Sequence, residues 1–424
     1  MAFDSGRVTF TRFRVTGETP AQVDQTVLDT LHEHRFQQTE IGAPDEVEVG
    51  FTTGEHILDT QFSYEKNGFG ACLLCAMRLD THKVPSDLKQ AYKKINEQAA
   101  AEGNPSGFAS KAQKRDAAEQ AEQQVREDLA SGRFRRSKAV PVLWDLEQGM
   151  LYCGAGTNTA IEQLASLLRT AFNVELQMIT AGTLASELLR GQGQGRDYED
   201  LKPTPFTGPP QKARDAAEDG DGPRDMSVPQ VPWIVQSVDL KDFLGNEFLL
   251  WLWWHLEQHE GTIEAHSPDG QQTAGRAMFL ALDKALDMEC AWGVGGKQSL
   301  RGDGPSRLRE AGEALRMGKW PRKVGLLLSD GEHQWELTLQ GDKMSVSGAS
   351  MPEVPDAESP RELTEARLQL VRKLAAALDG MYSAFLAERV GSSWPGQRDA
   401  IGRWIRQRDA RPDPSPEPAM QPNA

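Results

Sequence analysis

Cys72 and Cys75 stand at C-x-x-C spacing, which suits redox thiols or half of a zinc site. Zinc needs two further ligands, and no second C-x-x-C or suitably spaced histidine pair supplies them. The two thiols lie within "GACLLCAMRL", which reads as a buried strand whose alternation points them to opposite faces. With Cys153 and Cys290 they are expected to be reduced core thiols. His255 and His259 share a helical face at i, i+4, beside Glu257 and Glu260. The order is not H-E-x-x-H and no third ligand is apparent, so they read as solvated residues at a helix end. A metal-dependent hydrolase built on them is the weakest reading of the chain. "GVGGKQS" ends like a phosphate-binding loop, but Gln298 replaces the Ser or Thr that holds magnesium, and Ala291 replaces the first glycine. "GQGQG" lacks the spacing of a dinucleotide loop and reads as flexible chain. Eight scattered histidines and abundant carboxylates give no triad and no acid–base pair. The expectation is a protein without catalytic activity, metal or cofactor.

The basic residues are organised differently. In "GRFRRSKAV", residues 132 to 140, Arg133, Arg135, Arg136 and Lys138 surround Phe134, although the whole chain carries a formal net charge of −15. Asp128 and Asp145 are the nearest acids in sequence, which leaves the three arginines short of local counter-charge. Residues 297 to 323 hold a second cluster with a local charge of +5, including Lys297, Arg301, Lys319, Arg322 and Lys323, while 196 to 225 carry −3. Either cluster alone is most simply a solvated face. Two of them, each beside an expected helix, point to phosphate. Neither interleaves aromatics as a single-strand stacking platform does, and no recognition helix stands out. The implied contact is with duplex backbone and has little sequence preference.

Elements must position these residues. At 424 residues, 38% hydrophobic and with a mean hydropathy of −0.54, the chain suits two or three domains with polar connecting segments. "RVTFTRFRV" alternates as a strand, and a helix is expected from Thr19 as N-cap, with Pro20 at N1 and Gln22 completing a capping box. "DEVEVGFT" and "GACLLCAMRL" read as strands, and residues 1–85 as the N-terminal α/β part of a body. Leu88, Tyr92, Ile95 and Ala99, then Ala118, Ala121, Val125 and Leu129, make thin helical stripes on otherwise polar segments. Residues 86–131 are therefore expected to form a projecting helical hairpin that reaches roughly 25–30 Å. Residues 132–190 form the second part of the body, with a hairpin of "AVPVLWD" and "GMLYCGA", an amphipathic helix and the strand "NVELQMI". Residues 191–232, rich in Gly, Pro and Asp, read as a linker or disordered insertion. A C-terminal α+β domain is expected over 233–395, with a Trp-rich helix, a three-strand meander turning at Asp330-Gly331 and Gly341-Asp342, and a long helix capped by Ser359. Trp251, Trp253 and Trp254 cannot share one face of the first of these helices and read mostly as core. Residues 396–424 read as a disordered tail. No clear internal repeat is visible. The N-terminus lacks the apolar region of a signal peptide and "FLLWLWWHL" is too short to span a bilayer, so a soluble cytoplasmic protein is expected.

The order of segments resembles the recombination-associated protein RdgC family. The resemblance is carried by "LLCAMRLDTHKVPSDLKQAYKKINEQ", the polar hairpin, "GRFRRSKAVPVLWDLEQGMLYCGAGTNTAIEQLASLLRTAF", "EALRMGKWPRKVGLLL" and the long helix near 361 to 389. Val84-Pro85, Phe134, Trp144, Asp145 and Gly149 occupy family positions, and the likeness covers most of 1–190 and 300–390. It implies antiparallel sheets with packed helices in a ring-shaped homodimer. It also implies a nucleoid protein that binds double-stranded DNA without sequence preference and modulates RecA-type recombination. Phe134 would lie where the subunits meet, with Arg133, Arg135, Arg136 and Lys138 facing phosphate. A basic finger loop of the family has its candidates in Lys297, Gln298 and Arg301. The alternative is an interaction or scaffold module whose basic patches take acidic partners.

Overall fold

In the computed structural model, residues 3–38, 47–102, 104–105, 107–218, 226–259, 261–265 and 276–408 are described. The chain divides into two units: Arg14–Gln177 make up the first, and Ala2–Phe13 with Met178–Ala424 the second. Both mix helices with antiparallel strands, so the α+β expectation holds. Strand β1 (Val8–Gly17) contributes residues to each.

The first unit continues through α1 (Gln25–Glu33), β2 (Val47–Thr52), the single turn α2 (Tyr64–Asn67), β3 (Gly68–Phe69) and β4 (Cys72–His82). Helices α3 (Ser86–Glu102) and α4 (Lys111–Ala130) follow, then β5 (Arg135–Asp145), β6 (Met150–Cys153), α5 (Asn158–Phe172) and β7 (Val174–Met178). The helix expected from Thr19 begins instead after Asp24, whose carboxylate accepts the Val27 N–H at 3.1 Å. Asp24 immediately precedes the apolar run Val27, Leu28 and Leu31, and a side chain that satisfies a first-turn N–H there is worth about 1 kcal/mol. Strands β2, β4, β5 and β6 form one antiparallel sheet with β3 on the start of β4. On one face Trp144 meets Phe172 edge-on at 5.3 Å, and Phe172 meets Phe51 at 6.2 Å. Cys72 and Cys75 are free and buried, and burial pushes the Cys75 thiol up to about 12.

Helices α3 and α4 make the hairpin. Ser110 and Gln113 close a capping box at the start of α4, and Gln113 reaches across to the Ala100 carbonyl at 3.3 Å. In α4 only Ala117 and Ala121 are buried, and in α3 nothing is. Such a pair is held by polar contacts such as Asn96 to the Ala117 carbonyl rather than by a core.

The second unit holds α6 (Ala181–Gly191), α7 (Gly195–Asp200), α8 (Gln211–Glu218), α9 (Phe243–Gln258), β8 (Thr262–Ala265), β9 (Arg276–Cys290) and β10 (Lys297–Gly302). It ends with α10 (Arg309–Arg316), β11 (Lys319–Ser329), β12 (Gln334–Gln340), β13 (Ser345–Ser350), α11 (Pro360–Arg389) and α12 (Trp394–Gln407). Its sheet runs β10–β9–β11–β12–β13, with the first half of β1 on β13 and β8 on the start of β9. Strand β9 kinks at Lys284, whose φ is +62°, and a Cβ on the facing Gly325 would stand 1.9 Å from the Asp283 carbonyl oxygen. Only glycine fits there. Trp251 and Trp253 are buried, as is most of α9, with Phe248, Trp251, Tyr382, Phe385 and Trp394 in ring contact. Among the described residues no helix is long and apolar enough to cross a membrane.

Two expectations are corrected here. The stretch 191–232 is not a linker as far as residue 218. Tyr198 donates to Asp239 at 2.8 Å, and the buried Glu247 accepts the Thr204 N–H at 2.6 Å and Arg389 Nε at 2.7 Å. Phe206 meets Trp320 and Trp394 edge-on at 5.8 and 6.1 Å. Single aromatic anchors and buried charges hold this segment, and neither produces a periodicity. Residues 219–225 lie outside the described residues. The tail beginning at 396 is helical to Gln407, because Trp394, Ile401, Trp404 and Ile405 give α12 a buried face. Residues 409–424 lie outside the described residues.

Candidate nucleic-acid interface

Strand β5 carries the first basic cluster and changes character along its length. Its even positions face one way: Trp144, Val142 and Val140 are buried, then Lys138 and Arg136 are exposed. Leu79 and Thr81 of β4 lie opposite Lys138 and Arg136. The two cations are one strand repeat apart, about 6.6 Å. Among the described residues no carboxylate lies within pairing distance of either.

The other face of the same strand is neutralised. Asp80, fully buried, accepts Nε and Nη2 of Arg78 at 2.9 and 2.7 Å, and Arg135 Nε stands 3.7 Å from it. The Arg78 guanidinium also covers the Phe36 ring at 4.0 Å, and His82 pairs with Glu48 at 3.0 Å. Arg133 lies 3.4 Å from Asp128, which also accepts the Tyr92 hydroxyl at 2.5 Å. That hydrogen bond raises the Tyr92 pKa. The sequence-based view that Arg133, Arg135 and Arg136 lack acids is thus corrected for two of them. Asp128 was near in sequence but turned toward Arg133 only by the helix end. Asp80 comes from the neighbouring strand, which spacing along the chain does not reveal. Phe134 sits half-buried in the turn before β5, with the Arg133 guanidinium 5.7 Å from its ring centre.

The second cluster meets a different fate. Lys297, Gln298 and Arg301 do not lie on a loop: β10 pairs with β9 residue by residue from Lys297 opposite Glu289 to Gly302 opposite Lys284. Strand β9, flanked by β10 and β11, carries the missing acids. Arg301 pairs with Asp287 at 2.8 Å, Lys297 with Glu289 at 3.8 Å, and Arg322 with both Glu289 and Asp342 at 2.9 and 2.8 Å. Lys319 donates to Gln298 at 3.1 Å, and Gln298 in turn to the Glu310 carbonyl at 3.2 Å. Burial works to raise the Asp287 carboxyl, but the bonds from Arg301 and Ser299 and the charge of Lys323 outweigh it and hold the pKa down. Lys323 is exposed, opposite Asp287 in the ladder. The +5 of residues 297–323 is therefore a property of that segment and not of the surface.

Other candidates separate as follows. His255 and His259 stack with ring centres 4.3 Å apart, and burial together with the charge of His259 lowers the His255 pKa to about 4. Among the described residues the metal-ligating groups that gather in threes are Asp330, Glu332 and His333, in the turn between β11 and β12, and do not include that pair. Sequence reasoning missed Arg398, Arg403 and Arg406, which share a face of α12. The signal was present in "WPGQRDAIGRWIRQ", whose apolar residues mark the opposite face. The chain matches no protein-family model, and no curated protein matches it significantly.

Proposed function

We propose that this protein binds double-stranded DNA through the backbone, without sequence preference, as a homodimer that encircles the duplex. One observation carries the reading: Arg136 and Lys138 are adjacent on one strand face, exposed, and without a described carboxylate partner in a chain of net charge −15. Mutual repulsion between two such cations is relieved by an external anion, and regularly spaced phosphates supply one without reading bases. Arg133, largely exposed beside Asp128, and Lys323 add to the positive field, whereas Lys297, Arg301 and Arg322 contribute little because β9 neutralises them. The resemblance to the RdgC family supports the further reading of a nucleoid protein that modulates RecA-type recombination, with Phe134 at the subunit contact. Encirclement is tested by loading the protein on closed circular and on linear duplex at low salt and then raising the salt. Retention on the circle with loss from the linear form is expected. Equal loss from both would refute the ring.

A further inference from the structure

A second cationic surface lies in the second unit, where none of the residues singled out from the sequence reach. Residues 205–208 and helix α12 enclose a cleft of about 430 Å³, within the range of small-ligand sites. One wall is the helix face bearing Arg398, Arg403 and Arg406, and the other is Phe206, Thr207 and Gly208. The walls are fixed by close packing: a Cβ on Gly402 would stand 2.6 Å from the Phe206 carbonyl oxygen. Phe206 itself is anchored by Trp320 and Trp394, so the loop wall is rigidly backed.

The charge in this cleft is unbalanced. Arg398 donates to its neighbour Asp399 at 2.9 and 3.0 Å, and Asp399 is the acid among the lining residues. Arg403 and Arg406 are exposed and have no carboxylate partner among the described residues. A fourth guanidinium, Arg214, bonds the Pro209 carbonyl at 3.1 Å and lies beside Gly208. Guanidinium groups match phosphate oxygens in paired, charge-assisted hydrogen bonds. Two unpaired guanidinia facing one concavity suit an anion of charge two or more, which a single carboxylate does not provide.

We infer that this cleft binds a small phosphorylated ligand, with Arg403 and Arg406 holding its phosphate oxygens. The inference stands apart from DNA binding by Arg136 and Lys138, which belong to the other unit. Inorganic pyrophosphate is the probe: titrated calorimetrically into the full chain at constant ionic strength, it should bind saturably at one site per chain. Arg403→Gln with Arg406→Gln should weaken it at least about tenfold, since each lost charged hydrogen bond costs roughly 1.5–3 kcal/mol. Arg403→Lys should retain part of the binding. Each single Gln variant, checked by circular dichroism, covers the case in which the double variant does not fold. Absence of saturable heat at millimolar pyrophosphate, or unchanged binding in the Gln variants, overturns the inference. So does a double variant that loses duplex affinity while the wild type ignores pyrophosphate, which would assign these arginines to the DNA backbone.

Discussion

Replacing Arg136 and Lys138 together with alanine should remove two phosphate contacts per bound protomer and leave the fold intact. Both side chains are exposed, project from the end of a sheet face whose core begins at Val140, and bond no described side chain. Each lost contact flattens the slope of log K against log salt by about 0.9, so the pair should flatten it by about 1.8. Between about 50 and 200 mM salt, a span of about 0.6 log units, the wild type should then lose about tenfold more affinity than the variant. Fluorescence anisotropy on a labelled duplex across that range reads both numbers. Arg135→Ala is the internal control, because Asp80 already meets that charge. It should leave the slope unchanged. If Arg135→Ala flattens the slope while the double variant keeps it, the assignment of free and neutralised cations is wrong.

Three further outcomes follow from the same packing. Asp80→Ala strands the buried Arg78 without its carboxylate and should cost about 3–5 kcal/mol in urea unfolding, a loss that a stability change near zero would contradict. Phe134→Ala should weaken self-association by about 2 kcal/mol or more in sedimentation at micromolar concentration, with the monomer still folded; an unfolded variant or an unchanged dimer would remove Phe134 from the contact. His255 has a folded-state pKa of about 4, below its unfolded value near 6.5, so the unfolded chain binds more protons between those limits. Stability should fall as pH drops from about 6.5 to 4 and this contribution should then level off, and His255→Phe should show a shallower fall than the wild type in thermal melts.

Local rules made several elements legible in advance. The Ser359 cap of α11, the meander β11–β12–β13 and the hairpin α3–α4 each announce themselves by capping chemistry, turn residues or an apolar period. Position along the chain told less about charge. Asp80 neutralises Arg135 from 55 positions away, and the acids of β9 reach the cations of β10 and β11 only through strand pairing that spacing does not encode. Segments 198–206 and 394–407 look polar and irregular because a few residues, Tyr198, Phe206, Trp394 and Trp404, do the anchoring. The exposed pair Arg136 and Lys138 was visible as part of a basic run, but which members of that run are free depends on the face of the strand.

The central claim is binding to the duplex backbone, and the affinity of the unmodified protein for two unrelated duplexes of equal length tests it most directly. At low salt the two dissociation constants should agree within about twofold, and both should weaken with salt along the same steep line. Absence of binding at about 50 mM salt, or a preference of a hundredfold or more for one sequence, would contradict the account.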